Sequence, residues 1–598
     1  MLTSSQRSVR LLLMAAAVGA IAATAAAGDI AFPADAGALN VKADYGAKGD
    51  GVTDDTAGIQ KAIVTALSGD YRNPRPVYLP AGTYLISGSL KARITDAADG
   101  QGGWSDGWRS GIFLVGESRQ RTVLRLKDRC MVCRGYYTTA NIITHRREPM
   151  ALNGKLLTPR ILEKYRYVDK KGRVYNDVGL LVGEGKPKGK PGYTYEGFAG
   201  ADVLKPGEFG VAELGPGDAR YKGHEHKHPN SLFLRLPDGV KTLEGAAVEV
   251  GFAPTLLRIR NKQSVVLRNL VFRHAASWYL NHFDTAAVDI GFDPVVAKHA
   301  YELDLNPLNY VIDRCVFEDN NGTGLQTRGM DRFAVRHCTM RNNGKEGVSL
   351  SHARNGVVED VEVTANNRLG WLGGLDHTPH GGGGVNLSAM DVLFRRLRSH
   401  HNHGAGLGGD VIATNLIFED CEFSHNANRG HWHKISWGPI LLKRCRFVGN
   451  GNMGFFILNT HDVTLDECVI ADNARSQFGF SHSDVRESPP TFEAALTGHG
   501  GGPNQWSTGF ALRNSIVVRR DDQHMFERIS ASQKLYQKWV EQEYTGEGNT
   551  FWNADSTGVF DTTGRYNGRE FVDFASWQKA TGSDANSRWA PPKEMPVK

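Results

Sequence analysis

Cysteine is scarce: seven residues in 598, far too few to staple a chain of this length through disulfides. Charge of one sign is scarce too. The formal net charge is +6 over the whole chain, without the dense basic stripe of a dedicated nucleic-acid binder. Beyond the first 27 residues no apolar run is long enough to cross a bilayer, which takes about 20 residues. Charged residues make up 22 % and hydrophobic ones 40 %, which argues against a disordered chain and against a charge-rich coiled coil. Glycine is in excess, 69 residues, against a usual share of ~7 %. A single core stops growing near about 250–300 residues. A chain of 598 residues therefore holds several domains or an elongated repeat.

Arg7 and Arg10 precede an apolar run from Leu11 to Ala23, and Ala25-Ala26-Ala27 follows. A basic start, a short apolar stretch and a small-residue site predict a secretory signal peptide over 1–27. The mature protein is then expected in the periplasm or outside the cell, with no membrane association after cleavage.

Five cysteines set a ruler. They stand at 315, 338, 421, 445 and 468, with spacings of 23, 83, 24 and 23. Val361 and Leu397 fill the long gap, leaving one stretched interval of 36. Five residues after each of these seven positions stands an asparagine: Asn320, Asn343, Asn366, Asn402, Asn426, Asn450 and Asn473. Four further on, glycine recurs at Gly324, Gly347, Gly370, Gly406, Gly430 and Gly454, each before a short strand-like run. Several short strands per period exclude a helical repeat. The fold class is all-β: a parallel β-solenoid of 23–24 residues per coil, with rungs ~4.8 Å apart. The cysteines form an interior column of free thiols. The asparagines form a buried amide ladder at a turn.

The segment Val41-Lys42-Ala43-Asp44-Tyr45-Gly46 through Gly49-Asp50-Gly51-Val52-Thr53-Asp54-Asp55-Thr56, followed by Val77-Tyr78-Leu79-Pro80-Ala81-Gly82-Thr83-Tyr84, resembles the opening of the pectate-lyase-like superfamily of right-handed parallel β-helices. The resemblance extends to the coils of 255–520 and to a tail with Phe571, Phe574 and Trp577. It implies a carbohydrate-active protein. Locally, Thr53 or Asp54 is placed to cap a helix with Ile59, Ala62 and Ile63 on its apolar face, and that helix would close the open end of the solenoid. The expected organisation is 28–130 for this N-terminal cap and first coils, 131–255 for an inserted, partly β lobe, 256–520 for the core coils and 521–598 for a C-terminal helix and tail.

Strand alternation turns Leu325, Val348, Trp371, Leu407, His431 and Phe455 inward, with Gly373, Gly409 and His433 two residues on. It turns Gln326, Ser349, Leu372, Gly408, Trp432 and Phe456 outward, and after them Arg328, Ser351, Gly374, Asp410, Lys434 and Leu458. Asp410 and Lys434 fall on neighbouring coils. Three insertions, about 281–308, 376–384 and 483–506, are read as leaving the same strand end and walling a groove. Eleven of 21 histidines lie between 352 and 482.

The candidate catalytic residues are Asp410, Asp376, Lys434 and Arg328. The candidate substrate contacts are His352, His377, His380, Trp432, Phe456, Asn459, His482 and Asp484. No metal site and no required cofactor are expected; calcium is allowed but not indicated. The expected partner is a polysaccharide or oligosaccharide, without nucleic acid, bound by a monomer.

Three functions compete. A glycoside hydrolase needs two carboxyl groups about 5–9.5 Å apart, here Asp410 with Asp376, Asp484 or Glu487, and it is favoured on the sequence alone. A polysaccharide lyase acting by β-elimination on a uronate needs a base at C5 and a cation for the carboxylate, for which Lys434, Arg328, His352 and His482 qualify. A non-catalytic β-helix would need only aromatic stacking.

Overall fold

The structure is a computed structural model. It describes residues 37–69, 75–92, 111–126, strand segments within 150–250, 255–260, 264–275, 286–291, 309–320, 322–367, 383–410, 413–482, 507–520, 523–529, 533–555, 562–564, 568–571 and 573–593. The expected signal peptide lies outside these residues. Among the described residues no helix is long and apolar enough to cross a membrane.

Each coil contributes three short strands, and equivalent strands of successive coils pair in parallel. The coil around Asp410 shows the plan. Strand Ala405–Asp410 pairs with His431–Lys434, Thr414–Glu419 with Trp437–Lys443, and Glu422–Ser424 with Arg446–Val448. Repeated along the chain, this gives three parallel ladders, the chain of a right-handed β-helix.

Between the second and third strands the backbone turns through left-handed residues. Arg314, His337, Asp360, Arg396, Asp420, Arg444 and Glu467 all have φ between +50° and +55°. Between 150 and 250 the chain forms three separate three-stranded sheets.

The asparagine ladder holds the coils together. The Nδ2 of Asn320 donates to Asn343 Oδ1 at 2.9 Å, and the same bond runs on through Asn366, Asn402, Asn426, Asn450 and Asn473 at 2.8–3.1 Å. Each Nδ2 also donates to a strand carbonyl, as Asn426 does to Ser399 O at 3.0 Å. Each Oδ1 also accepts a backbone N–H, as Asn426 does from Asn402. At its far end Asn473 donates to Gln477 Oε1. The ladder explains the glycine column. A β-carbon at Gly406 would lie 2.6 Å from Asn426 Nδ2, and one at Gly454 would lie 2.6 Å from Asn473 Nδ2.

The same test corrects the stretched coil. Gly384, not Gly370, occupies the glycine position, where a β-carbon would lie 2.9 Å from Asn402 Nδ2. The strand is Gly383–Arg395. Val385 and Leu387 therefore take the inward places expected for Trp371 and Gly373, and Asn386 and Ser388 the outward places expected for Leu372 and Gly374. The cause is alternation: Val-Asn-Leu-Ser alternates apolar and polar, whereas Trp371-Leu372 does not. The insertion thus falls ahead of its strand, between Asn367 and Gly383. The first expected insertion is corrected as well, because Ala286–Gly291 inside it is a core strand paired with Leu257–Arg260 and Thr323–Arg328.

The five column cysteines are free and buried. Their thiols donate to carbonyls, Cys338 Sγ to Arg336 O at 3.0 Å, and burial pushes Cys338 up to about 12. Helix Thr56–Leu67 buries Ile59, Ala62, Ile63, Ala66 and Leu67. Its N-cap position falls on Asp55, not Thr53 or Asp54. The Asp55 carboxylate instead accepts the N–H groups of Lys48 and Gly49, which ties the Gly-Asp loop to the helix start.

Charge alternates along one further column. Arg268, Asp313, Arg336, Glu359, Arg395, Glu419, Lys443, Asp466, Arg513 and Glu547 are successive register partners. Opposite charges directly across a sheet contribute about 0.2–1 kcal/mol each.

Deep in the core, His431 and His433 are fully buried with their Nε2 atoms 2.8 Å apart, and Phe418, Phe423 and Phe455 ring them. Burial pushes His433 down to about 3, and His431 well below the ordinary histidine value.

Two outcomes follow. Asn426→Ala strands buried donors and acceptors on two neighbouring coils, and is expected to lower unfolding stability by about 3 kcal/mol in urea titration; an unchanged midpoint contradicts the ladder's role. For the histidine pair, the unfolded chain takes up protons below its ordinary pKa, about 6.5, while the folded chain does not. Stability is therefore complete above that pH and falls as pH drops toward about 3. His431→Phe is expected to flatten that fall, read as melting temperature against pH.

Candidate functional site

The first strand of each coil presents alternate residues outward. Register sets two adjacent columns. One runs Arg258, Asp289, Gln326, Ser349, Asn386, Gly408, Trp432 and Phe456. The other runs Arg260, Gly291, Arg328, Ser351, Ser388, Asp410, Lys434 and Leu458. From Arg258 to Lys434 these columns carry four cations and two carboxylates.

Asp410 and Lys434 lie side by side, Nζ to Oδ1 at 3.4 Å, and both are buried. Ser388 Oγ donates to the Asp410 carbonyl at 2.8 Å. A β-carbon at Gly408 would strike the Trp432 ring at 2.5 Å, and one at Gly409 would strike His433 Nδ1 at 2.3 Å. The two glycines let the strand lie flat between Trp432 outside and the histidine pair inside.

Trp432 and Phe456 face outward but are packed, 7 % and 5 % exposed, in one cluster with Ala405 and Met453. The Arg429 guanidinium lies over the Phe456 ring at 4.4 Å. They back the surface and are not open stacking faces in this structure.

Arg328 is one rung from Ser351, and His352 follows in a left-handed turn, φ +52°. The Nδ1 of His352 lies 2.8 Å from Ser351 Oγ. Burial, and then the charge of Arg328, hold its imidazole below the ordinary histidine value, so it is neutral at pH 7. His482 and Asn459 are buried beyond the ends of their strands. Asp376, His377, His380, Asp484 and Glu487 lie outside the described residues.

Sequence reasoning missed the head of the columns. Asp289 is wholly buried and its carboxylate binds the Arg260 guanidinium, with Arg258 Nε 3.8 Å away. The alternation Val288-Asp289-Ile290-Gly291 was the available signal. Among the described residues no group of three or more His, Cys, Asp or Glu is arranged to hold a metal ion.

Comparisons with known proteins agree with this architecture. A family model described as rhamnogalacturonase A/epimerase, pectate lyase-like, matches residues 38–157. A right-handed β-helix region matches 297–470 and 383–494. Mannuronan C5-epimerase AlgE5 of Azotobacter vinelandii is 41 % identical over 85 residues, 14 % of this chain and 7 % of that protein. The chain therefore spans less than a tenth of that relative's length. Among solved structures, the A-module of Azotobacter vinelandii mannuronan C-5 epimerase AlgE4 is 14 % identical with a TM-score of 0.44, covering 92 % of this chain and 100 % of that one. The periplasmic alginate epimerase AlgG is 12 % identical with a TM-score of 0.35, covering 82 % of this chain and 76 % of that one. The opening segment and the coils are thus each matched by a model of this kind, and the architecture is that of a pectate-lyase-like right-handed β-helix.

Proposed function

We propose that this chain is an exported enzyme that acts on a uronic-acid-containing polysaccharide and begins by removing the proton at C5. The observation that carries the reading is the placement of His352, its Nδ1 2.8 Å from the hydroxyl of Ser351, which is the register partner of Arg328, with burial and the Arg328 charge holding the imidazole below the ordinary histidine value. A guanidinium binds a carboxylate through paired hydrogen bonds. A neutral imidazole accepts a proton. A uronate presents both needs on adjacent atoms, its carboxylate and the C5–H next to it. The C5–H electron pair moves into the carboxylate held by cations, and His352 takes the proton. Return of a proton to the opposite face inverts C5. Loss of the C4 oxygen instead gives an unsaturated product.

The cationic surplus of the outward columns supports an acidic glycan. The AlgE5 match, a mannuronan C5-epimerase by name, points the same way. Asp410 and Lys434 are assigned to the same groove, with Trp432 and Phe456 as its apolar backing. Asn459, His482, Asp376, His377, His380 and Asp484 are proposed as substrate contacts. The division into leader, first coils, inserted lobe 131–255, core coils and tail belongs to the same proposal.

Hydrolysis asks for a second carboxyl group near Asp410. On the two outward columns the nearest are Asp289 and Glu527, each four rungs away, about 19 Å at ~4.8 Å per rung. Among the described residues on these columns no pair meets the hydrolytic spacing.

The test is a panel of acidic and neutral polysaccharides, with product followed by NMR at C5, by ultraviolet absorbance of unsaturated ends and by reducing ends. Turnover confined to polyuronates is expected, as inversion or as unsaturation. Reducing ends without either would overturn the reading. His352→Ala is expected to cost about 10²–10⁴-fold in kcat with an unchanged melting temperature. Because His352 acts neutral and its pKa is depressed, kcat/KM should hold its plateau through pH 6.5 and fall only in more acid solution. An acid limb centred above 6.5 contradicts the assignment.

A further inference from the structure

We propose that His400 and His401 form a binding site for one divalent transition-metal ion of tetragonal preference, copper(II) above all, on the turn that follows the third strand. The site lies away from the outward columns of the first strand and does not rest on the function proposed for them. His400 ends the strand Arg398–His400. Alternation alone would send the next side chain to the other face. His401 is instead left-handed, φ +53°, and its ring returns to the side of His400. The two imidazoles meet edge-on, planes 87° apart, with their Nδ1 atoms 2.9 Å from each other.

Neighbouring coils hold both rings. His400 Nε2 lies 3.3 Å from Glu362 Oε1 on the preceding coil. A carboxylate only accepts, so Nε2 carries the hydrogen and Nδ1 keeps its lone pair. Thr364 Oγ1 lies 3.4 Å from the same Nδ1. A carboxylate on the far ring nitrogen is the usual way a metal-binding histidine is oriented. His401 stacks on His425, its equivalent on the next coil, with centroids 5.1 Å apart and planes 28° from parallel. A β-carbon at Gly449, one coil further, would lie 2.6 Å from His425 Nδ1. That nitrogen therefore points along the column away from the pair, and His425 serves as a backing for His401. His401 and His425 are exposed and the His400 side chain is 14 % exposed, so the pair meets solvent.

The separation selects the ion. With metal–nitrogen bonds of about 2.0–2.1 Å, nitrogens 2.9 Å apart subtend about 90° at the metal. A right angle is the cis angle of tetragonal copper(II) or nickel(II), and copper(II) binds most tightly of the first-row divalent ions. The tetrahedral angle of a structural zinc site would need the nitrogens about 3.3–3.4 Å apart. On binding, the hydrogen shared by the two Nδ1 atoms moves to His401 Nε2, each ring turns its Nδ1 lone pair to the metal, and water fills the remaining positions. Two nitrogens completed by water need no third protein ligand, in keeping with the described residues, which hold no group of three or more His, Cys, Asp or Glu arranged around an ion.

The test is copper(II) titration of the full chain, read by calorimetry and electron paramagnetic resonance. His224, His226 and His228 lie outside the described residues, and His224→Ala, His226→Ala and His228→Ala are built into every protein tested so that this triplet does not compete. A tetragonal spectrum split by two imidazole nitrogens is expected. His400→Gln and His401→Asn are each expected to weaken that binding about tenfold or more. Glutamine can keep the bond to Glu362, and asparagine suits a left-handed turn, so neither change should move the melting temperature of the metal-free chain. His425→Asn, which leaves both nitrogens in place, is expected to retain the two-nitrogen spectrum. Copper(II) affinity and spectrum unchanged by both His400→Gln and His401→Asn would overturn the site, as would the absence of bound ion when both histidines are present.

Discussion

The fold depends on one repeated bond, the asparagine side chain that donates to the asparagine of the next coil. A solenoid turn must bury backbone carbonyls and amides where the chain changes direction. An unpaired buried group of this kind costs about 1–3 kcal/mol. The ladder from Asn320 to Asn473 satisfies a carbonyl, an amide and a side chain at every step. It also leaves no room for a β-carbon at Gly324, Gly347, Gly384, Gly406, Gly430 or Gly454. The recurring glycine column is thus a consequence of the ladder, and the interior thiols are small side chains filling the adjacent column.

With the interior carrying registration, the outer surface is free to differ from coil to coil. One outer column uses that freedom for strict alternation of charge from Arg268 to Glu547. Skipping a coil there would set like charges side by side, so the column also penalises misassembly. Between Arg258 and Lys434 the two columns of the first strand break that pattern and gather Arg258, Arg260, Arg328 and Lys434 around only two carboxylates. Such a cationic surplus is electrostatically unfavourable without an anion, which is why the face reads as a binding surface for an acidic polymer.

Much of this was legible in the sequence because the ladder residues recur at fixed spacing. Parity along Leu407–Asp410 placed Asp410 against Lys434 and turned His431 and His433 inward, as the register has them. The stretched coil was misread because Gly370-Trp371 and Gly384-Val385 both offer glycine before an apolar residue, and only the fit against Asn402 Nδ2 separates them. Asp289 was overlooked because its coil precedes the ladder. Ala275 stands where an asparagine would mark the turn, and its N–H simply donates to Asn320.

The central claim is that chemistry here begins with the C5 proton of a uronate. Release of tritium into water from a polyuronate labelled at C5 tests it most directly, because inversion and elimination both break that bond and hydrolysis leaves it intact. Time-dependent release by the unaltered chain, abolished by His352→Ala, is the predicted result. Turnover of the polymer with all tritium retained would contradict the account.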